Sequence, residues 1–198
     1  MKGSSSNFPN RSARGFTLAE LLAVIIIMSI LMVFVVPSVV GMTRGASMRG
    51  ATMQVRSTLM AARQIAITRR ATASVLFPQT LSSPNDSKNY RAIAIFTNGT
   101  TAANGALVSA WDFLPQGIVF QATNSLTTVN AAVDKTTSAP VPALTFNRLG
   151  DLSGGNEASV CLLEGVIMSG SVQPKGAAGG TNKITVLFPA GIIQVKRL

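Results

Sequence analysis

The feature that most constrains this chain is an apolar run of twenty-one residues, Phe16 to Val36, whose single charged side chain is Glu20. As a helix, such a run is long enough to cross the hydrocarbon core of a bilayer. The leader before it carries only basic charges, from Lys2, Arg11 and Arg14. A secretory signal peptide is cut after its apolar core. Here the polar-to-apolar break falls before the core, at Gly15–Phe16, so a cut there would leave the apolar helix on the mature protein with a new amino group.

Glu20 is the unusual residue of this run, because a carboxylate inside hydrocarbon is costly. The cost is about 2.5–3.5 kcal/mol at the centre of a membrane helix and less near an end. Glu20 lies one turn from Phe16, where the helix dipole also favours an anion. The acid is either tolerated at the membrane interface or paired with a cation from another chain. We favour pairing, because the cleaved Phe16 amine of a neighbouring chain would supply that cation.

The residues around the break carry a family resemblance. The stretch Gly-Phe-Thr-Leu-Ala-Glu-Leu-Leu, residues 15–22, resembles the processing site of type IV prepilins and of the pseudopilins of type II secretion. The resemblance implies that a membrane-embedded prepilin peptidase and methyltransferase cleaves after Gly15 and methylates the new amine of Phe16. It also implies that Glu20 aligns subunits during filament assembly, in a helix with Pro37 near its end.

The second half of the predicted helix is amphipathic. Its apolar residues recur at intervals of seven, four, three and four, which places them on one face; they are Met48, Val55, Leu59, Ala62 and Ala66. We expect this face to lie on a sheet. The predicted organisation is a leader peptide over 1–15, a transmembrane and assembly helix over 16–37, the amphipathic half over 38–73, and a globular β-rich domain over 74–198.

Alternating apolar residues and turn signals predict short strands after the helix. Strands are expected around Ser74–Phe77, Arg91–Phe96, Ile118–Phe120, Leu144–Phe146 and Ala158–Leu163, with a closing hairpin of Ile184–Phe188 and Ile192–Lys196. Polar or glycine-rich segments at 80–89, 124–142 and 169–182 are expected to be loops. The fold class is α+β, a long N-terminal helix packed on an antiparallel sheet, which agrees with a pilin-like architecture.

Four short blocks of the globular part resemble the GspH/FimT branch of the pilin superfamily. They occur in the family's order and are Leu59–Ala66, Trp111–Phe120, Phe146–Gly150 and Gly191–Arg197. This resemblance implies a minor subunit near the tip of a filament.

Charge is strongly asymmetric along the chain. Seventeen basic residues against seven acidic ones give a net charge of +10, and residues 44–70 contain six arginines and no acid. Arg49, Arg56, Arg63 and Arg70 recur every seven residues and form a slowly drifting stripe on the helix. Together with Lys196 and Arg197, this stripe is a candidate site for an anion such as DNA phosphate. The alternatives are a solvated face, acidic neighbouring subunits or lipid head groups.

An enzyme has little support, because the chain contains no histidine, one cysteine (Cys161) and no paired carboxylates. We expect no catalytic residues, no cofactor and no metal. The leading prediction is a structural subunit of a type II secretion pseudopilus or a type IV pilus, with the peptidase, other pilin-like subunits and membrane lipid as partners. The alternative is a DNA-binding minor pilin that acts in DNA uptake. The predicted location is the inner membrane, crossed once, with the N-terminus cytoplasmic and the globular domain periplasmic.

Overall fold

The computed structural model describes residues 16–79, 81, 86–98, 105–122, 126–132, 138–154, 157–175, 181–187 and 190–198. Within these ranges, the side chains of residues 33–44, 98, 122, 132 and 138 are not part of the description. The chain divides into two compact units, one up to Thr43 and the other from Arg44 to Leu198. The unit that begins at Arg44 contains the cores and all the strands discussed below.

One helix, α1, runs from Leu18 to Arg69. The apolar face predicted for its second half is confirmed, since Met48, Val55, Leu59, Ala62 and Ala66 are all buried. Ala51 joins the same face, because it lies one turn before Val55. The opposite side of this half of the helix is exposed.

The helix ends at Arg69, earlier than the predicted boundary at residue 73. Arg70 adopts a left-handed backbone conformation with φ of 50°. Its N–H donates to the carbonyl of Ile67 at 3.3 Å, and the N–H of Ala71 donates to the carbonyl of Ala66 at 3.2 Å. These two hydrogen bonds form a Schellman motif, which satisfies the last carbonyls of a helix and stops its propagation. Thr72 then begins the first strand, so the chain enters the sheet within three residues of the helix end.

Eleven strands are described after the helix. They are β1 Thr72–Leu76, β2 Ala92–Asn98, β3 Ala106–Leu107, β4 Asp112–Phe113, β5 Ile118–Ala122, β6 Thr127–Ala132, β7 Ser138–Phe146, β8 Ala158–Met168, β9 Ser171–Pro174, β10 Thr181–Leu187 and β11 Ile192–Arg197. All the recorded pairings are antiparallel, which confirms the predicted α+β class.

The strands form two sheets rather than the one that was predicted. The first has the order β3-β2-β1-β7-β6, with β4 also paired to β2. The second has the order β11-β10-β8-β5, with β9 paired to the C-terminal part of β8, residues 165–168. The main core lies where the amphipathic half of α1 meets both sheets, and its largest buried side chains include Phe77, Phe120 and Phe146. Both sheets are therefore positioned against one helical face.

The first sheet is buried on both faces. Val75 belongs to the main core, whereas its neighbour Leu76 belongs to a second cluster with Phe96 and Val141. Successive side chains of a strand point to opposite faces, so β1 contributes to both clusters in alternation. Trp111 packs on the second cluster.

Two predicted loops contain strands. Residues 124–142 hold β6 and most of β7, and residues 169–182 hold β9 and the start of β10. Pro140 and Pro142 lie within β7, although proline has no N–H to donate to a ladder. The carbonyl of Pro142 accepts a hydrogen bond from the N–H of Phe77 at 2.8 Å. In a strand, the nitrogen and the carbonyl of one residue point to the same neighbouring strand, and residues two apart point the same way. The nitrogens of Pro140 and Pro142 therefore both face the β1 side. The ladder between β7 and β6 therefore loses no donor.

Candidate assembly site and basic surface

Glu20 lies at the N-terminus of α1 and takes part in a capping box. Its Oε2 accepts from the backbone N–H of Thr17 and from the Thr17 hydroxyl, both at 3.1 Å. The backbone N–H of Glu20 donates to the Thr17 hydroxyl at 3.3 Å. This reciprocal pattern satisfies donors that a helix start leaves without intrahelical partners. This role was not predicted from the sequence, although a threonine three residues before a glutamate is its usual signal.

The capping box leaves half of the carboxylate available. No donor among the described residues reaches Oε1 of Glu20. Phe16, the residue predicted to carry the mature amine, is described and 77% exposed. Gly15 falls outside the described part of the chain, and Pro37 lies within α1 with its side chain undescribed.

Apolar side chains cover every side of the first part of the helix. The exposed ones include Leu18, Leu21, Leu22, Val24, Ile25, Ile26, Ile27, Met28, Ile30, Leu31 and Met32. A helix that is apolar all round requires an apolar environment on all sides. Considering the described residues alone, none of the helices meets the length and hydropathy needed to span a membrane.

Arg63 is held inside the domain. Its side chain is half-buried, and its Nε donates to the carbonyl oxygen of Gly150 at 2.9 Å. Two glycines make room for this contact: a Cβ on Gly150 would lie 3.2 Å from Nε, and one on Gly191 would lie 3.4 Å from it. Both glycines have positive φ values, 83° and 62°. Arg63 therefore joins α1 to the turn after β7 and to the start of β11, a structural role that the stripe alone did not reveal.

The other arginines of the stripe differ from Arg63 for a geometric reason. A seven-residue step in an α-helix falls about 20° short of two full turns. Arg49 and Arg56 are therefore farther from the buried face, and both are exposed. Arg70, predicted as the fourth member, lies beyond the helix end with a left-handed φ. Helical periodicity therefore does not set the direction of its side chain, and the stripe has three members rather than four.

The two basic residues of β11 point to opposite faces of the second sheet. Arg197 pairs with Asn182, whose amide donates to the hydroxyl of Thr52 in α1 at 2.9 Å. Arg197 therefore lies on the helix side of the sheet. Lys196 pairs with Lys183, which in turn pairs with Cys161 on the other face. Since β11 is an edge strand, its basic residues also discourage pairing with another chain.

Two protein-family models match the chain. The prokaryotic N-terminal methylation motif matches residues 10–36, and the model of the type II transport protein GspH matches residues 51–183, more than half of the chain. The chain belongs to the GspH family and is a minor pilin or pseudopilin of that type, as the resemblance implied. The prediction that it is not an enzyme is confirmed by this membership. No curated protein matches the chain significantly.

The chain is similar to two solved structures. The type IV minor pilin FimU of Pseudomonas aeruginosa is 17% identical with a TM-score of 0.48, over 78% of this chain and 91% of that one. The minor pseudopilin EpsH of the type 2 secretion system of Vibrio cholerae is 12% identical with a TM-score of 0.44, over 74% and 93%.

Proposed function

We propose that this chain is a structural subunit of an envelope-spanning filament, either a type II secretion pseudopilus or a type IV pilus. The observation that carries the proposal is the helix start. There the methylation motif, residues 10–36, includes the beginning of a helix with apolar side chains on all sides and one partly satisfied acid, Glu20. Lipid, or the apolar helices of sister subunits, would supply the surroundings that these side chains require. The proposed location is the inner membrane, with the N-terminus cytoplasmic and the globular unit periplasmic.

In the proposed assembly step, prepilin peptidase removes residues 1–15 and methylates the amine of Phe16. The helix then moves from lipid to a position beside other subunit helices. Oε1 of Glu20 pairs with the terminal amine of a neighbour, while Oε2 keeps its bonds to Thr17. Pairing is favoured because an uncompensated carboxylate in hydrocarbon is costly.

The capping box allows charge and helix capping to be tested separately. Glutamine serves in a capping box as glutamate does, so Glu20→Gln keeps the cap and removes the charge. Thr17→Val removes both hydrogen bonds of the Thr17 hydroxyl, including the one that accepts from the Glu20 N–H, and keeps the charge. We expect Glu20→Gln to insert into the membrane normally but to lose most recovery of other filament subunits when the tagged chain is purified. Thr17→Val should retain that recovery. The reverse ranking of the two variants would show that Glu20 acts only as a cap.

Processing is tested at Gly15. Substitution by a bulky residue, Gly15→Leu, should leave the leader attached, so intact-mass measurement should show the full precursor. The unsubstituted chain should begin at a methylated Phe16. A mature terminus at any other residue would remove the proposed site.

DNA binding in DNA uptake is the second candidate function. Arg49, Arg56 and Arg197 are exposed and have no ion-pair partner among the described residues. A phosphate backbone could neutralise them, and such binding would weaken steeply with salt. Titration of the purified full chain in detergent with duplex DNA at 50 and 200 mM salt tests it. Absence of binding at the lower salt would end this candidate.

A further inference from the structure

The exposed side of α1 carries an apolar row that lies outside both core clusters. Met53, Met60 and Ile67 are 74%, 47% and 42% exposed. They recur every seven residues, so they lie in one line along the helix, about 21 Å from first to last. None of them belongs to either core cluster. Single exposed apolar residues are ordinary on a soluble surface, whereas apolar residues grouped on one face and bordered by polar side chains mark interaction sites.

Each member of the row is preceded by an arginine four residues earlier. The pairs are Arg49 with Met53, Arg56 with Met60, and Arg63 with Ile67. Residues at this spacing are neighbours on a helix surface, so a basic row runs beside the apolar row. We call the two rows together the Arg/Met face. Leu149, which is 72% exposed, extends it, because Gly150 lies against the Ile67 side chain.

The positive charge of this face indicates which kind of partner surface can bind to it. Residues 44–70 contain six arginines and no acid, and Arg49 and Arg56 have no ion-pair partner among the described residues. A complementary surface must therefore present carboxylates beside apolar side chains. A second copy of this chain in a symmetric contact would place arginines against arginines. In a head-to-tail contact it would have only seven acidic residues to offer, against seventeen basic ones. Duplex DNA would match the basic row but would leave the apolar row uncovered.

Resting on the proposed function, we propose that the Arg/Met face docks an acidic surface of a different pilin-like subunit in the same filament. Exposed methionines adapt their shape to the surface they meet. Arginine donates two parallel hydrogen bonds to a carboxylate. The apolar row supplies buried area and the basic row sets the register, with one arginine in every two turns of the helix.

The test places a photoreactive residue at position 60 of the full chain, expressed with the other filament subunits. We expect irradiation to link it to another subunit, with mass spectrometry placing the link in an acidic segment. In the unlabelled chain, Met60→Asp should reduce recovery of that subunit about tenfold, the scale of an interface hot spot. Arg56→Glu should reduce it similarly, and Arg56→Lys much less.

Ala61→Asp is the matched control, because Ala61 is exposed and adjacent in sequence but points away from the face. It should change recovery less than twofold. Links to nucleic acid, lipid or a second copy of this chain would overturn the proposal, as would equal loss with Met60→Asp and Ala61→Asp. If other subunits are recovered but none links to position 60, only this docking face fails. If the unsubstituted chain recovers no subunit at all, the proposed function fails as well.

Discussion

The two ends of the same helix use apolar residues in opposite ways. From Phe16 to Met32 the large apolar side chains are exposed on all sides, whereas from Met48 to Ala66 the apolar residues of one face are buried almost completely. The first segment has no polar face to leave in water. The second alternates a buried face with arginines and glutamine. One helix therefore serves two environments, because the pattern of apolar residues, rather than their number, decides what can cover them.

The two segments of α1 therefore differ in how much they contribute to the stability of the folded unit. The second segment forms part of the core of the unit from Arg44 to Leu198, and deleting its side chains should destabilise that unit. None of the described residues of the first segment belongs to either core cluster. Its substitutions should leave folding of the unit unchanged and should act on insertion and assembly.

The largest expected effect is from truncation of Leu59, which is fully buried. Leu59→Ala should lower the free energy of unfolding by about 2–5 kcal/mol, because it removes apolar contacts and leaves a cavity. Leu22→Ala, at a half-exposed site in the first segment, should change it by less than about 0.5 kcal/mol. Urea unfolding of the mature chain in detergent, followed by Trp111 fluorescence, measures both. If both variants lower the free energy of unfolding by similar amounts, the two segments do not differ in their contribution to stability.

The next largest effect is a difference in stability loss between two arginines of the stripe, Arg63 and Arg56. Arg63→Ala should cost about 1.5–3 kcal/mol, because the Gly150 carbonyl loses a charged donor. Arg56→Ala, at an exposed position with the same spacing, should cost less than about 0.5 kcal/mol. The same unfolding assay compares them. If Arg63→Ala leaves the free energy of unfolding unchanged, Arg63 has no structural role and is again a candidate for binding an anion.

The smallest effect is at the helix end and has the opposite sign. Arg70 holds a left-handed φ of 50°, which costs a residue with a side chain about 1–2 kcal/mol relative to glycine. Arg70→Gly should therefore raise the free energy of unfolding, by up to about 1 kcal/mol once the extra freedom of glycine in the unfolded chain is counted. Arg69→Gly, one residue earlier and helical, should lower it instead. A loss of stability in Arg70→Gly would mean that its side chain contributes contacts of its own.

Sequence reasoning succeeded where periodicity was strong and failed where pairing was long-range. The buried face of α1 and most strands followed from periods of 3.6 and 2. The strands within 124–142 did not, because the threonine-, alanine- and proline-rich sequence has no apolar alternation. β6 exists because β7 lies beside it in register, for example with Asn130 opposite Pro140. The capping box is a local feature, because Thr17 lies three residues before Glu20, and it was predictable from the sequence.

The amino-acid sequence by itself determined the α+β class, the apolar helix start with its single acid, and the face of α1 that would be buried, since each depends on residues close together in the chain. Tertiary structure alone decided that there are two sheets, that Arg63 is bound to Gly150 while Arg56 remains exposed, and that Arg197 lies on the helix side of the second sheet. The physical reason is that hydrogen-bond partners and burial depend on contacts between distant segments. Gly150 and Gly191 are far from Arg63 in sequence, and only the packing of the turn and of β11 against α1 brings them together.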